Sequence, residues 1–215
     1  MSSIDWPHYF EPLLKKYENK KHPLDYHSRY QLLVMVILSA QDSDRHINSL
    51  APKLFEAYPS INQLSKATPE DLHQYIGSVR NFANKAGWLV KLAQMVGDDS
   101  KIPSTIPELT KLPGVGRKSS NVIIRESGGA AEGIMVDLHV LRVAPRLGIA
   151  AGSNPEKIEK QLMEILPKEQ WKDAGMAMSF LGREICRPKP NCDLCIMNVV
   201  CAYYKDVYKS QNEKG

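Results

Sequence analysis

Apolar residues recur at three- and four-residue steps along most of the chain and seldom alternate, which is the period of helices rather than strands. The longest apolar run, Leu32 to Leu38, lies in a helix predicted over 25–40 and reads as buried. A second helix is predicted over 42–58, with Leu50, Leu54 and Phe55 at helical spacing. Thr68-Pro69-Glu70-Asp71 opens another: a Thr cap, Pro in the first turn, then acids that suit the helix dipole. Further helices are predicted over 81–96, 107–111, 117–127, 137–147 and from Ser153-Asn154-Pro155-Glu156, where Ile158, Leu162 and Ile165 share a face. The single strand-like run, Val122-Ile123-Ile124, is too short to found a sheet. The expected fold class is all-α, with short loops marked by Pro and Gly.

Composition changes this picture little. At 215 residues the chain has room for one or two domains with a real core. A net charge of +4 tilts towards an anionic partner such as nucleic acid. No secretory leader is visible, since Met1 to Phe10 carries Asp5, Pro7 and His8. Leu32–Leu38 falls far short of the roughly 18–20 residues a membrane span requires. The expectation is a cytoplasmic, nucleoid-associated protein with reduced thiols and no membrane partner.

Chemistry first appears at Leu112-Pro113-Gly114-Val115-Gly116-Arg117-Lys118. Pro113 ends the short helix before it. Gly114 and Gly116 permit a tight turn with positive φ and close backbone approach, and a new helix starts at Arg117. Backbone N–H groups beside a helix N-terminus make a phosphate site. Gly-x-Gly alone would equally serve a plain connection between helices; the whole string is far more specific.

With this string the sequence resembles the helix-hairpin-helix DNA glycosylases of base excision repair. After the hairpin come Gly128, Gly129 and Gly133, then Val136-Asp137-Leu138-His139-Val140. The Lys that closes the hairpin and the Asp 19 residues on match the family's catalytic pair, here Lys118 and Asp137. The resemblance implies two helical domains flanking a DNA-binding cleft. A six-helix domain is expected over 25–132, and a second domain from 1–24 plus 133–215. A monomer is expected.

The chemistry suits those residue types. Base excision breaks the N-glycosidic bond at the sugar C1′ after the nucleotide leaves the stack. A Lys amine can attack C1′ and form a Schiff base, which permits elimination of the 3′ phosphate. An ionised Asp can stabilise the positive sugar that develops. Asp137 is also well placed to cap the helix it precedes. Within the superfamily, Lys at 118 rather than Ser or Tyr implies combined glycosylase and abasic-site lyase activity.

All four cysteines lie within sixteen residues as C-x5-C-x2-C-x5-C: Cys186, Cys192, Cys195 and Cys201. Such a cluster reads as metal-binding, and the spacing alone suits tetrahedral zinc or a [4Fe–4S] cluster. The endonuclease III-like branch of the family carries a [4Fe–4S] cluster on this arrangement, with one more residue in the first gap. The resemblance also implies DNA contacts for Arg187 and Lys189 in the cluster loop, and for Gly114, Val115, Gly116 and His139.

Leu38-Ser39-Ala40-Gln41-Asp42-Ser43-Asp44 resembles the family's Leu-Ser-Ala-Gln-x-Thr-Asp segment, with Ser43 in place of Thr. That implies a gap-filling Gln41 and an Asp44 near the lesion pocket. The family's second wedge has no clear match: Asn81 stands for the apolar wedge and Phe82 for the following Tyr, or the loop carries an insertion.

The partner is then duplex DNA with damaged bases or abasic sites, and oxidised pyrimidines are the leading substrate. Oxidised purines and uracil or thymine mismatches are the enzymatic alternatives. A DNA-structure-binding protein without catalysis would not need both Lys118 and Asp137. A small metal-cluster electron carrier would leave the hairpin unexplained.

Overall fold

Side-chain caps decide where most helices begin in the computed structural model, which describes residues 4–208. Ser28 starts α2 (Arg29–Leu38) by accepting the Gln31 amide. Ser43 starts α3 (Asp44–Ala57) through the His46 amide. Thr68 and Asp71 form a reciprocal capping box at α5 (Pro69–Ile76). Asp137 and Asn154 cap α9 (Leu138–Leu147) and α10 (Pro155–Ile165), each side chain accepting first-turn amides without a reciprocal bond. The remaining α-helices are α1 (Trp6–Tyr17), α4 (Ile61–Leu64), α6 (Phe82–Val96), α7 (Ile106–Leu109), α8 (Arg117–Glu126) and α11 (Lys168–Glu184). Among the described residues there is no strand, and Val122-Ile123-Ile124 lies buried inside α8.

Three helices have no counterpart among the predicted elements: the single turn α4, and the longer α11 and α1. Residues 174–182 of α11 are all buried, so the helix shows no polar face against which a periodic apolar stripe would stand out. It also holds Gly175 and Gly182, which weaken its helical signal. In α1, Pro12 and the sparse apolar spacing of Trp6, Phe10, Leu13 and Tyr17 hide a helix that buries those four residues. The predicted 25–40 helix is shorter than expected, because Ser28 caps it and the chain turns after Leu38.

The chain forms two compact units. One spans 21–129. Its centre is α2, whose residues from Leu32 to Leu38 are all buried. Packed on α2 are α3, α6 and α8, and α7 leads into α8. The other unit combines the N-terminal segment up to Lys20 with the residues from Ala130 onwards. There α11 is the central helix, packed against α9 and α1, with α10 on α9. No helix among the described residues is long and apolar enough to cross a membrane.

Candidate active site and thiol pocket

The hairpin is built by one turn and one helix start. The Val115 amide donates to Leu112 O at 3.1 Å, closing the turn, and the Val115 side chain is buried. The Val115 N–H is therefore committed within the hairpin rather than offered to a phosphate. Gly114 needs to be glycine twice over. Its φ is +78°, and a Cβ would lie 2.9 Å from the Trp88 ring and 3.1 Å from Ile37. Gly116 corrects the expectation of positive φ: it sits at φ −95° and caps α8. Nothing lies within 4 Å of where its Cβ would be, so the fold itself leaves that position open. No side-chain oxygen caps that end of α8, and a helix N-terminus of this kind suits an anion.

Lys118 is exposed in that first turn. Beside it is a group the sequence reading missed. Burial pushes His22 down to about 4, while Glu126 and Asp44 pull the other way and Lys118 and Arg125 reinforce the fall. Asp44 and Lys118 belong to the same 21–129 unit as His22, and both charges act on its ring. His22 Nδ1 accepts the Leu24 amide at 3.1 Å, so that nitrogen carries no proton. Tyr26, whose ring contacts His22, donates to Glu126.

Gln41 is exposed and holds φ 61°, a left-handed conformation unusual for a residue with a side chain. The second loop is resolved the same way. Asn81 is exposed at φ 60° just before α6, whereas the Phe82 ring packs edge-on against His73 at 4.9 Å. Asn81, not Phe82, therefore stands at the tip. Each left-handed residue costs roughly 1–2 kcal/mol, which the surrounding bonds must offset.

In the other unit Asp137 uses its two oxygens separately. Oδ1 accepts the amides of His139 and Val140 at 2.9 and 2.8 Å, and Oδ2 accepts the Ser179 hydroxyl at 2.6 Å. Nothing in the sequence pairs Asp137 with Ser179. The approach depends on two glycines of α11. A Cβ on Gly175 would stand 2.3 Å from Met135 O, and one on Gly182 would stand 2.8 Å from the His139 Cβ. His139, expected at DNA, has its Nδ1 against Arg142 at 3.2 Å. Arg142 continues to the carbonyls of Gly182 and Cys186.

Cys186, Cys192, Cys195 and Cys201 line one pocket, walled by Leu147, Leu181, Ile185 and Arg146. Burial, then the neighbouring thiols, pushes Cys192 up to about 11, and burial also raises Cys195 and Cys201. The three raised thiols ionise only against a compensating positive charge, so the donor set fits a cationic centre. Among the described residues no three His, Cys, Asp or Glu groups converge on one point for a single ion; the four thiols surround a shared space instead. Arg146 shapes the loop, donating to the carbonyls of Arg187 and Pro188 at 2.7 and 3.1 Å. Arg187 and Lys189 are exposed on it.

A glycine hairpin leading into a helix N-terminus, a helix-capping aspartate and four thiols lining one pocket, all on helical scaffolds, are the marks of the helix-hairpin-helix class of DNA-acting proteins. The chain belongs to the HhH-GPD superfamily of base excision DNA repair proteins, whose family profile matches residues 34–168. It is 37% identical to endonuclease III of Rickettsia felis over 91% of this chain and 92% of that one. With endonuclease III of Synechocystis the identity is 35%, over 88% of each. Its fold is similar to that of a trapped endonuclease III–DNA covalent intermediate, with TM-score 0.83 and 35% identity over 92% of this chain and 94% of that one.

Proposed function

We propose that this chain is a bifunctional base-excision-repair DNA glycosylase and abasic-site lyase that removes oxidised pyrimidines from duplex DNA. The observation that carries the reading is Lys118, an exposed amine at the open N-terminus of α8 directly after the glycine hairpin. There the backbone at Gly116 and the start of α8 hold a phosphate while the amine meets the adjoining sugar. Endonuclease III relatives at 35–37% identity support the same chemistry.

In this reaction the Lys118 Nζ attacks C1′, the base departs with the bonding pair, and the opened sugar becomes a Schiff base. Loss of a proton from C2′ expels the 3′ phosphate, and water then releases the lysine. Asp137 stabilises the positive sugar, and the bonds from His139, Val140 and Ser179 fix its orientation. Gln41 fills the space of the flipped nucleotide, and Asp44 lines the pocket beside Lys118.

The four cysteines would hold a [4Fe–4S] cluster, because thiols around a shared space offer one ligand to each iron. The cluster would supply structural support and position Arg187 and Lys189 for phosphates. Anaerobically purified protein is expected to contain about four irons and four sulfides; stoichiometric zinc without sulfide would overturn this. A monomer acting at the nucleoid in the cytoplasm completes the proposal.

The test is borohydride trapping on duplexes carrying thymine glycol, 8-oxoguanine, uracil or a thymine mismatch. A covalent complex should form best with thymine glycol and vanish in Lys118→Ala. Trapping that persists in Lys118→Ala would name another amine, and excision with no trapping would make the enzyme monofunctional.

A further inference from the structure

Gln41 and Asn81 are the two non-glycine residues with positive φ among those described, and they stand on two separate loops of the 21–129 unit. Left-handed residues with side chains persist where surrounding structure over-determines them, often at functional sites. Here side chains bind the two loops together. Asp42, next to Gln41, accepts the amide of Arg80, next to Asn81, at 3.1 Å. The other Asp42 oxygen meets His46 Nδ1 at 2.8 Å, and His46 Nε2 meets the Ser78 hydroxyl at 3.0 Å. Beneath them the buried Lys85 donates to Leu38 O and Ala40 O, both at 2.7 Å, and so fixes the turn that leads into Gln41. Burial alone would raise the Asp42 carboxyl, but the bonds from His46, Arg80 and Ser43 hold it below the usual carboxylate range. Position 42 is the open position of the Leu-Ser-Ala-Gln-x-Thr-Asp pattern, and the reaction itself gives Asp42, His46 and Ser78 no task.

We propose that Asp42, His46 and Ser78 form a clamp that locks Gln41 and Asn81 into one rigid pair of fingers for the gap left by a flipped nucleotide. The inference rests on the glycosylase reading for the purpose of the fingers. The three are positioning residues: they meet neither the sugar nor the base. A finger on a free loop must be ordered when it enters the stack, which opposes insertion. A pair bonded beforehand meets that cost during folding. Facing the Asp42 carboxylate, His46 Nδ1 donates, and the Ser78 hydroxyl completes the bridge at Nε2.

The test uses the full-length protein and a duplex with 2-aminopurine opposite a tetrahydrofuran abasic analogue, whose fluorescence reports insertion beside the orphaned base. His46→Ala and Ser78→Ala should weaken the fluorescence-reported binding about tenfold, the equivalent of one charge-assisted hydrogen bond. Binding to undamaged duplex should be unchanged. With enzyme saturating in single turnover, excision of a paired lesion should fall by a similar factor, while cleavage of a preformed abasic site, which has no base to unpair and unstack, stays within about twofold. His46→Gln, which can still bond both neighbours, should recover most of the loss. Alanine variants with wild-type fluorescence and excision would overturn the clamp. So would equal losses on paired and preformed abasic substrates, which mark a general folding role. Should the wild-type protein insert but excise nothing, and the alanine variants lose insertion, the glycosylase reading fails while the clamp stands.

Discussion

The Ser179 hydroxyl donates to the Asp137 carboxylate at 2.6 Å, from a position on α11 that is 1% exposed. Because the cap of α9 uses the other oxygen, one carboxylate serves two purposes without competition. Gly175 and Gly182 make the contact possible by letting α11 approach the Met135 backbone and the start of α9 closely.

Asp137→Asn should separate folding from chemistry. Asn is a good N-cap and nearly isosteric, so α9 should remain capped. The charge is lost, and excision should slow by about 10²–10³, the usual cost of one electrostatic group in the transition state. Single-turnover excision and a binding titration on the same duplex check this. Near-wild-type excision would reduce Asp137 to a helix cap.

Ser179→Ala should have a smaller effect of the same kind. Removing a hydrogen bond to a charged group costs about 1.5–3 kcal/mol, or roughly ten- to a hundredfold in rate. If Ser179 orients Asp137 for the reaction, kcat falls and KM holds. A loss confined to thermal stability would make the contact purely structural.

DNA affinity should fall steeply with salt, and the cluster loop should account for part of the slope. Arg187 is steadied by its Nε bond to Arg183 O at 3.0 Å, and Lys189 is exposed two residues on. Arg187→Ala and Lys189→Ala should each reduce the slope of log affinity against log salt by about one. Unchanged slopes would place both side chains away from phosphates.

Stability should decline in mild acid because of His22. Its folded value, about 4, lies below the unfolded value near 6.5. Above pH 6.5 both states are neutral and the full stability is present. Between 6.5 and 4 the unfolded chain takes a proton that the folded one refuses, so stability is lost progressively, by at most about 3 kcal/mol. Urea midpoints at pH 7.5 and 5 should differ less in His22→Gln than in the wild type. Parallel profiles would show that His22 titrates normally in the fold.

The sequence by itself determined the features that arise within a few residues of one another. Capping at Thr68, Asp137 and Asn154 is such a feature, and so is the apolar stripe of α10. So too are the hairpin string ending in Lys118 and the closely spaced cysteines, because helix starts and turns obey short-range hydrogen bonding. The pairing of Asp42 with His46, four apart at the start of α3, was also within reach of that logic. Only the tertiary structure decided the rest. Ser179 reaches Asp137 across forty-two positions, Lys85 reaches Leu38 across forty-seven, and Gly114 is required partly by a ring on another helix. Gly116 looked equivalent to Gly114 but has an ordinary negative φ and space for a Cβ. Such contacts carry no period along the chain. They are set by how closely helices pack, and close packing is a property of the assembled core.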